Sequence, residues 1–213
     1  CARPSAAASR HPCTLNSIHN LGALLHDKGD LADAELLLCE AVKVARETLG
    51  NRHPNLLASI SNLGLLLYAK GDLAAAEPLE REALDVQRET VGSQHPHMLN
   101  SISNLGALLK VKGDLATTEL LYREALEGRR ATLGDRHPST LRSISNLGTL
   151  LKAKGDLAAA EPLLREALEG QRATLGSGHP DTPICMNNLG GLLQAKGDFA
   201  AAEPLYREGL EGL

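Results

Sequence analysis

Leu56, Ile60, Leu63 and Leu67 recur at spacings of three and four residues, the period that lines one face of an α-helix with apolar side chains. The spacing predicts a helix, here helix A, from Pro54 to about Lys70, because proline is suited to a first helical position where no N–H partner is needed. Lys70-Gly71-Asp72 then stacks three signals: a cation for the negative end of helix A, a glycine able to form a left-handed cap, and an Asp N-cap for the next helix. That next element, helix B, starts at Leu73 and turns Ala76, Leu79, Ala83 and Leu84 inward until Gly92 ends it. Glu77, Arg81, Glu82 and Arg88 are left for solvent. A turn this short makes the two helices antiparallel neighbours.

The whole unit recurs. His-Pro stands at His11-Pro12, His53-Pro54, His95-Pro96, His137-Pro138 and His179-Pro180, a period of 42 residues, and Lys-Gly-Asp recurs at 28–30, 112–114, 154–156 and 196–198. A period in the range of roughly 20–50 residues marks an array of stacked supersecondary units, each touching only its neighbours. The expected organisation is all-α: a disordered segment 1–10, then an array over 11–213 with repeats of about 11–52, 53–94, 95–136, 137–178 and an incomplete 179–213. Pro78, Pro162 and Pro204 fall inside helix B and should kink it, although Leu36 and Leu120 stand at the same position elsewhere. Gly128 and Gly170 should each cost helix B about 1 kcal/mol relative to Ala, so stacking must over-determine these helices. Pro183 and Gly209 should fray the fifth repeat, leaving repeats two to four as the rigid middle. The chain opens on Cys1 and stops inside the fifth helix B without a polar cap, as expected of part of a longer protein.

Composition narrows the picture. Hydrophobic residues make up 43% but aromatics only 2%, so the core is built from Leu, Ile and Ala, which favours helices. A net charge of −4 from 22 basic and 26 acidic residues creates no field for nucleic acid or anionic lipid. The four cysteines occupy different repeat positions without a C-x-x-C pair, which argues against a disulfide framework or thiolate metal site and for a reducing compartment. No apolar run approaches the roughly 18 residues of a membrane span, and CARPSAAASR lacks a signal-peptide core. The expectation is a soluble, cytoplasmic protein. The His-Pro histidines read as loop caps, since equivalent atoms in neighbouring repeats should lie roughly 8–10 Å apart, too far to share one ion. No nucleophile stands at motif spacing from a base and no Gly-rich phosphate loop follows a strand, so no enzyme activity, metal or cofactor is expected.

Asn62-Leu63-Gly64, Leu67, Gly71-Asp72, Ala76 and Ala83 have the small-and-large spacing of the tetratricopeptide repeat, and the match recurs in all five copies. The usual period is about 34, so some eight added residues lengthen helix B and its loop. With SISNLG, KGDLAAAEPL, REAL and LG..HP in fixed order, residues 11–213 resemble the tetratricopeptide region of kinesin light chains and light-chain-like proteins. No heptad segment like that of kinesin light chains is present in these residues.

The resemblance implies a right-handed α-α superhelix, a solenoid of five helix-turn-helix repeats, with helix A lining a concave trough that binds peptide segments. Gly22, Gly64, Gly106, Gly148 and Gly190 would let backbones approach closely. Asn20, Asn62, Asn104, Asn146 and Asn188 would bind ligand backbone through amides that donate and accept at once; alternatively they bridge adjacent helices. One turn earlier on that face stand Asn16, Asn100 and Arg142, and further along stand Lys110 and Lys152. These residues make the middle of the array basic, suited to an acidic peptide of a protein partner. The leading expectation is a protein–protein interaction scaffold, such as a cargo adaptor. Two other readings are a spacer that self-associates end to end through uncapped apolar ends, and a recruiting arm of a larger enzyme.

Overall fold

The computed structural model describes residues 17–18, 20–22, 24–25, 28–90, 95–176, 179 and 181–211. The expected segment 1–10, with His11, Asn16, Gly92 and Pro180, lies outside the described residues. Helical residues within 17–25 are followed by α1 (Leu31–Leu49), α2 (Pro54–Ala69), α3 (Leu73–Thr90), α4 (Pro96–Val111) and α5 (Leu115–Leu133). After these come α6 (Pro138–Ala153), α7 (Leu157–Leu175), α8 (Asp181–Ala195) and α9 (Phe199–Glu211). No strand occurs among the described residues. The A helices are α2, α4, α6 and α8, and the B helices are α1, α3, α5, α7 and α9. The chain divides into two compact units, residues 1–108 and 109–213.

Between A and B, Gly71 takes φ +81°, and Asp72, Asp114, Asp156 and Asp198 each accept from the N–H three residues on. The left-handed glycine and the Asp cap therefore act as the Lys-Gly-Asp signature predicts.

In the first unit α2 packs against α1 and α3. Leu56, Ile60, Leu63 and Leu67 of α2 and Ala76, Ala83 and Leu84 of α3 are buried, as their spacing predicts, while Leu79 is half-exposed. Two polar positions of helix B are buried as well. Gln87 is one; Glu80, 2% exposed, is the other. The Glu80 carboxyl fills the space beside Gly64, where a Cβ would lie 2.7 Å from Oε1. Neither of its oxygens has a hydrogen-bond partner, and burial pushes its pKa up to about 8. The carboxyl is therefore protonated at neutral pH, which avoids the larger cost of burying a charge. The equivalent positions carry Leu38, Tyr122, Leu164 and Tyr206.

In the second unit Tyr122, Leu126, Leu141, Ile144, Leu164 and Met186 belong to one core. Leu164 of α7 sits over Gly148 of α6, with Cδ2 2.7 Å from where a Cβ would be. Gly170 is buried, and Leu141 occupies the space its side chain would take. The backbone cost is offset by closer packing. Helices α3, α7 and α9 run unbroken through Pro78, Pro162 and Pro204. Helix α8 contains Pro183 in its first turn, where a missing N–H forfeits no helical bond.

Within each of the two units, ion pairs tie one repeat to the next. Glu35, Glu119 and Glu161 of helix B bind the Lys-Gly-Asp lysines of the following repeat, Lys70, Lys154 and Lys196. Arg123 and Arg165 add a second cation to the same carboxylates. Glu77, expected in solvent, is half-buried and bound to Arg81. Outside these lie Arg46–Glu82 at 2.5 Å, Arg130–Glu166 at 2.6 Å and Arg172–Glu208 at 2.5 Å. Such surface pairs are worth roughly 0–1 kcal/mol each. Hydrogen bonds from Lys154 and Lys196, then from Arg123 and Arg165, hold Glu119 and Glu161 below the usual carboxylate range.

These groups act on stability with opposite signs. The depressed carboxylates contribute stability at neutral pH that is lost as pH falls through their folded values. Glu80, with its pKa raised to about 8 in the folded chain, costs progressively more stability as pH rises from the ordinary carboxylate range to about 8. Replacing Glu80 with Leu is expected to stabilise the chain in urea unfolding by on the order of 3 kcal/mol at about pH 9 and by much less at about pH 4.5. Equal gains at the two pH values would contradict a buried neutral acid.

Candidate functional site

Core packing leaves one stripe of each A helix uncovered. On α6, Leu141, Ile144, Leu147 and Leu150 are buried. Arg142, Asn146, Thr149 and Lys152, spaced by four, three and three, remain exposed or half-exposed. On α8 the equivalent stripe is Ile184, Asn188, Gly191 and Gln194. The helical period makes each set a single face. The two stripes meet: Asn188 Nδ2 donates to Ser145 Oγ at 3.1 Å, and the Lys152 ammonium lies over Gly191, 2.7 Å from where a Cβ would be.

Lys110, in the last turn of α4, reaches across in the same way. Its Nζ donates to Thr149 Oγ1 at 3.5 Å, while Thr149 donates to the Asn146 carbonyl oxygen at 2.9 Å. Partial burial, and then the charge of Lys152, push Lys110 below its ordinary pKa. Arg129 of α5 is buried and donates to Ser143 Oγ at 2.5 Å. Burial and the nearby charge of Arg142 lower its pKa to about 10. Among the described residues no carboxylate pairs with Lys110, Lys152 or Arg142. The second unit thus offers an electropositive face with amide and hydroxyl groups between the cations.

In the first unit Asn20, Asn62 and Asn100 are exposed and Asn104 is half-exposed. On its stripe Leu65 of α2 is exposed too, whereas exposed Leu21 and Leu24 stand at the repeat positions of core Leu63 and Leu66. The side chains of Asn62, Asn104 and Asn146 make no hydrogen bond among the described residues. Asn188 makes the bridge to a neighbouring helix that was the alternative reading of the ladder. Sequence reasoning located Lys110 and Lys152 but missed Thr149 and Gly191, the groups they rest on. The signal was present as one repeat position that varies as Leu65, Ala107, Thr149 and Gly191. It also missed Arg129, because a helix B arginine reads as solvated.

The histidines have a local role. Nδ1 of His53, His95, His137 and His179 accepts from the N–H two residues on, at 3.1–3.3 Å, capping the A helices. No group of three or more metal-ligating side chains converges among the described residues, and none of their helices is long and apolar enough to cross a membrane. A cavity of about 540 Å³ lies elsewhere, between Arg130, Asp135, Pro162 and Glu166, but its Arg130 is already bound to Asp135 and Glu166.

The family model of the tetratricopeptide repeat matches residues 12–89, 97–173 and 143–213. No curated protein matches the chain. Among solved structures, the nearly identical TPR-like repeats of a candidate kinesin light chain from Podosopora anserina share 29% identity at a TM-score of 0.81, with 95% of this chain and 96% of that one covered. BtubC (BKLC) from P. vanneervenii gives 24% identity and a TM-score of 0.81, with 94% and 80% covered. PilF of Pseudomonas aeruginosa gives 18% and 0.69, with 93% and 76% covered. The last two likenesses concern the fold alone.

Removing a cap tests the role of the histidines. His137→Ala is expected to destabilise the chain by about 1 kcal/mol and His137→Asp to restore most of the loss, measured by urea unfolding. No loss in the Ala variant would remove the capping role.

Proposed function

Because the chain belongs to the tetratricopeptide repeat family, we propose that it is a non-catalytic scaffold that holds peptide segments of partner proteins on the uncovered faces of its A helices. The observation that carries this reading is the polar stripe of α6 and α8, which core packing leaves open and whose cations Lys110, Lys152 and Arg142 have no carboxylate partner among the described residues. An unpaired cation cluster attracts carboxylates from a ligand, and the free Asn146 amide is able to donate to and accept from a peptide backbone. In the first unit, Asn62 and Asn104 offer the same amide chemistry, and Leu65, exposed one turn on from Asn62, suits an apolar ligand side chain. For the second unit the preferred ligand is thus an extended acidic segment.

The 29% identity to a candidate kinesin light chain supports a cargo-adaptor form of this role. Cys39 and Cys185 as free thiols favour a reducing, cytoplasmic setting.

The test uses fluorescent peptides in which Asp and Glu alternate with Leu, against scrambled and lysine-substituted controls. Lys110→Glu with Lys152→Glu is expected to weaken binding of the acidic probes by about tenfold or more, and Asn146→Ala by a few-fold. Affinity should fall as salt rises. If charge reversal left the affinity of every acidic probe unchanged, the face would not be the binding site.

A further inference from the structure

The junction between the fourth and fifth repeats shows what covers the outer face of a helix B. Leu168 of α7 shares a core with Leu189 and Leu192 of α8, the next helix A, and Glu161 of α7 is bound by Lys196 in the turn after α8. One repeat further on, α9 carries Leu210 and Glu203 at the positions of Leu168 and Glu161. Four repeats back, the helical segment within 17–25 and the turn after it carry Leu21, Leu24 and Lys28 at the positions of Leu189, Leu192 and Lys196. In these two places the side chains lack the neighbours that their counterparts have. Leu210 is 73% exposed against 3% for Leu168, and Leu24 is 50% exposed against 0% for Leu192. Leu21 is exposed as well. Glu203 keeps an intrahelical pair with Arg207, as Glu161 does with Arg165, but meets no lysine among the described residues. Lys28 is exposed and meets no carboxylate among them.

We propose that these two faces join between copies of this chain in a head-to-tail contact: α9 of one copy packs on the helical segment within 17–25 of another, with Leu210 on Leu21 and Leu24, and Glu203 bound by Lys28. The faces are complementary in charge and in kind. One offers a carboxylate and a helix B leucine, the other an ammonium and two helix A leucines, at sequence spacings that the junction of α7 and α8 already accommodates. Neither face complements itself, since Glu203 would meet Glu203 and Lys28 would meet Lys28. The contact is therefore heterologous rather than two-fold symmetric, and each copy keeps one open face after it forms. Burial of the exposed leucines drives it, while the ion pair sets register more than strength. The polar stripes of α6 and α8 carry none of these side chains, so the contact does not depend on peptide binding there.

Analytical ultracentrifugation of the full chain tests the contact. The weight-average mass is expected to rise about two-fold or more between about 1 and 200 µM protein. Leu24→Glu and Leu210→Glu, both at exposed positions, should each hold the chain as a monomer across that range, with circular dichroism confirming the fold. Mixed in equal amounts, the two variants should form a dimer and nothing larger, because only the Leu210 face of the first and the face of Leu21 and Leu24 on the second are still able to meet. Glu203→Lys should weaken self-association by about two- to five-fold, and adding Lys28→Glu to it should restore most of the loss. A chain that stays monomeric at every concentration would give these faces to some other occupant and overturn the proposal. A Leu24→Glu variant that still associates, as it would if like faces met, or a mixture that grows beyond the dimer, would overturn it too.

Discussion

How closely helix A approaches helix B decides most of what each repeat can do. Over the glycine that precedes the open stripe of helix A, a long side chain of helix B enters the space: Leu164 over Gly148 and Tyr206 over Gly190. The contact depends on an antiparallel pair, which the left-handed glycine and Asp cap of the turn impose. Once helix A is buried on that side and against the neighbouring repeat, only one stripe remains open. That stripe is where Asn146, Thr149 and Lys152 stand.

The same packing separates charges by role. Cations from the Lys-Gly-Asp turns and from helix B meet carboxylates of adjacent repeats and are neutralised there. Lys110, Lys152 and Arg142, on helix A, have no such carboxylate partner among the described residues. A net charge of −4 therefore conceals a locally basic face in the second unit. Composition averages over both classes, whereas a ligand meets only one of them.

The fold was legible because its signals are local. Apolar positions at three and four residue spacing placed α2 and α3, and the His-Pro and Lys-Gly-Asp signatures capped them as expected. The site was legible in part: the Asn positions and both lysines fall on or beside the open faces, but Asn188 spends its amide on Ser145. Helix B's buried Glu80 and Gln87 were not legible, since hydropathy assigns carboxylates and amides to solvent and neither residue's neighbours in sequence reveal the packing above it. At Gly170 the backbone cost is a property of one residue, whereas its compensation comes from Leu141 of another helix.

The sequence by itself determined the helices, their caps, the antiparallel turn and the 42-residue repetition, because each follows from steric and hydrogen-bonding rules acting over a few residues or from simple recurrence. Tertiary structure decided which polar side chains are buried, which charges are neutralised and which groups support Lys110 and Lys152. Those outcomes join residues some 35 to 43 positions apart, as in Lys154–Glu119, Lys110–Thr149 and Asn188–Ser145. Their strength depends on distance and desolvation, which exist only once one repeat is packed on the next.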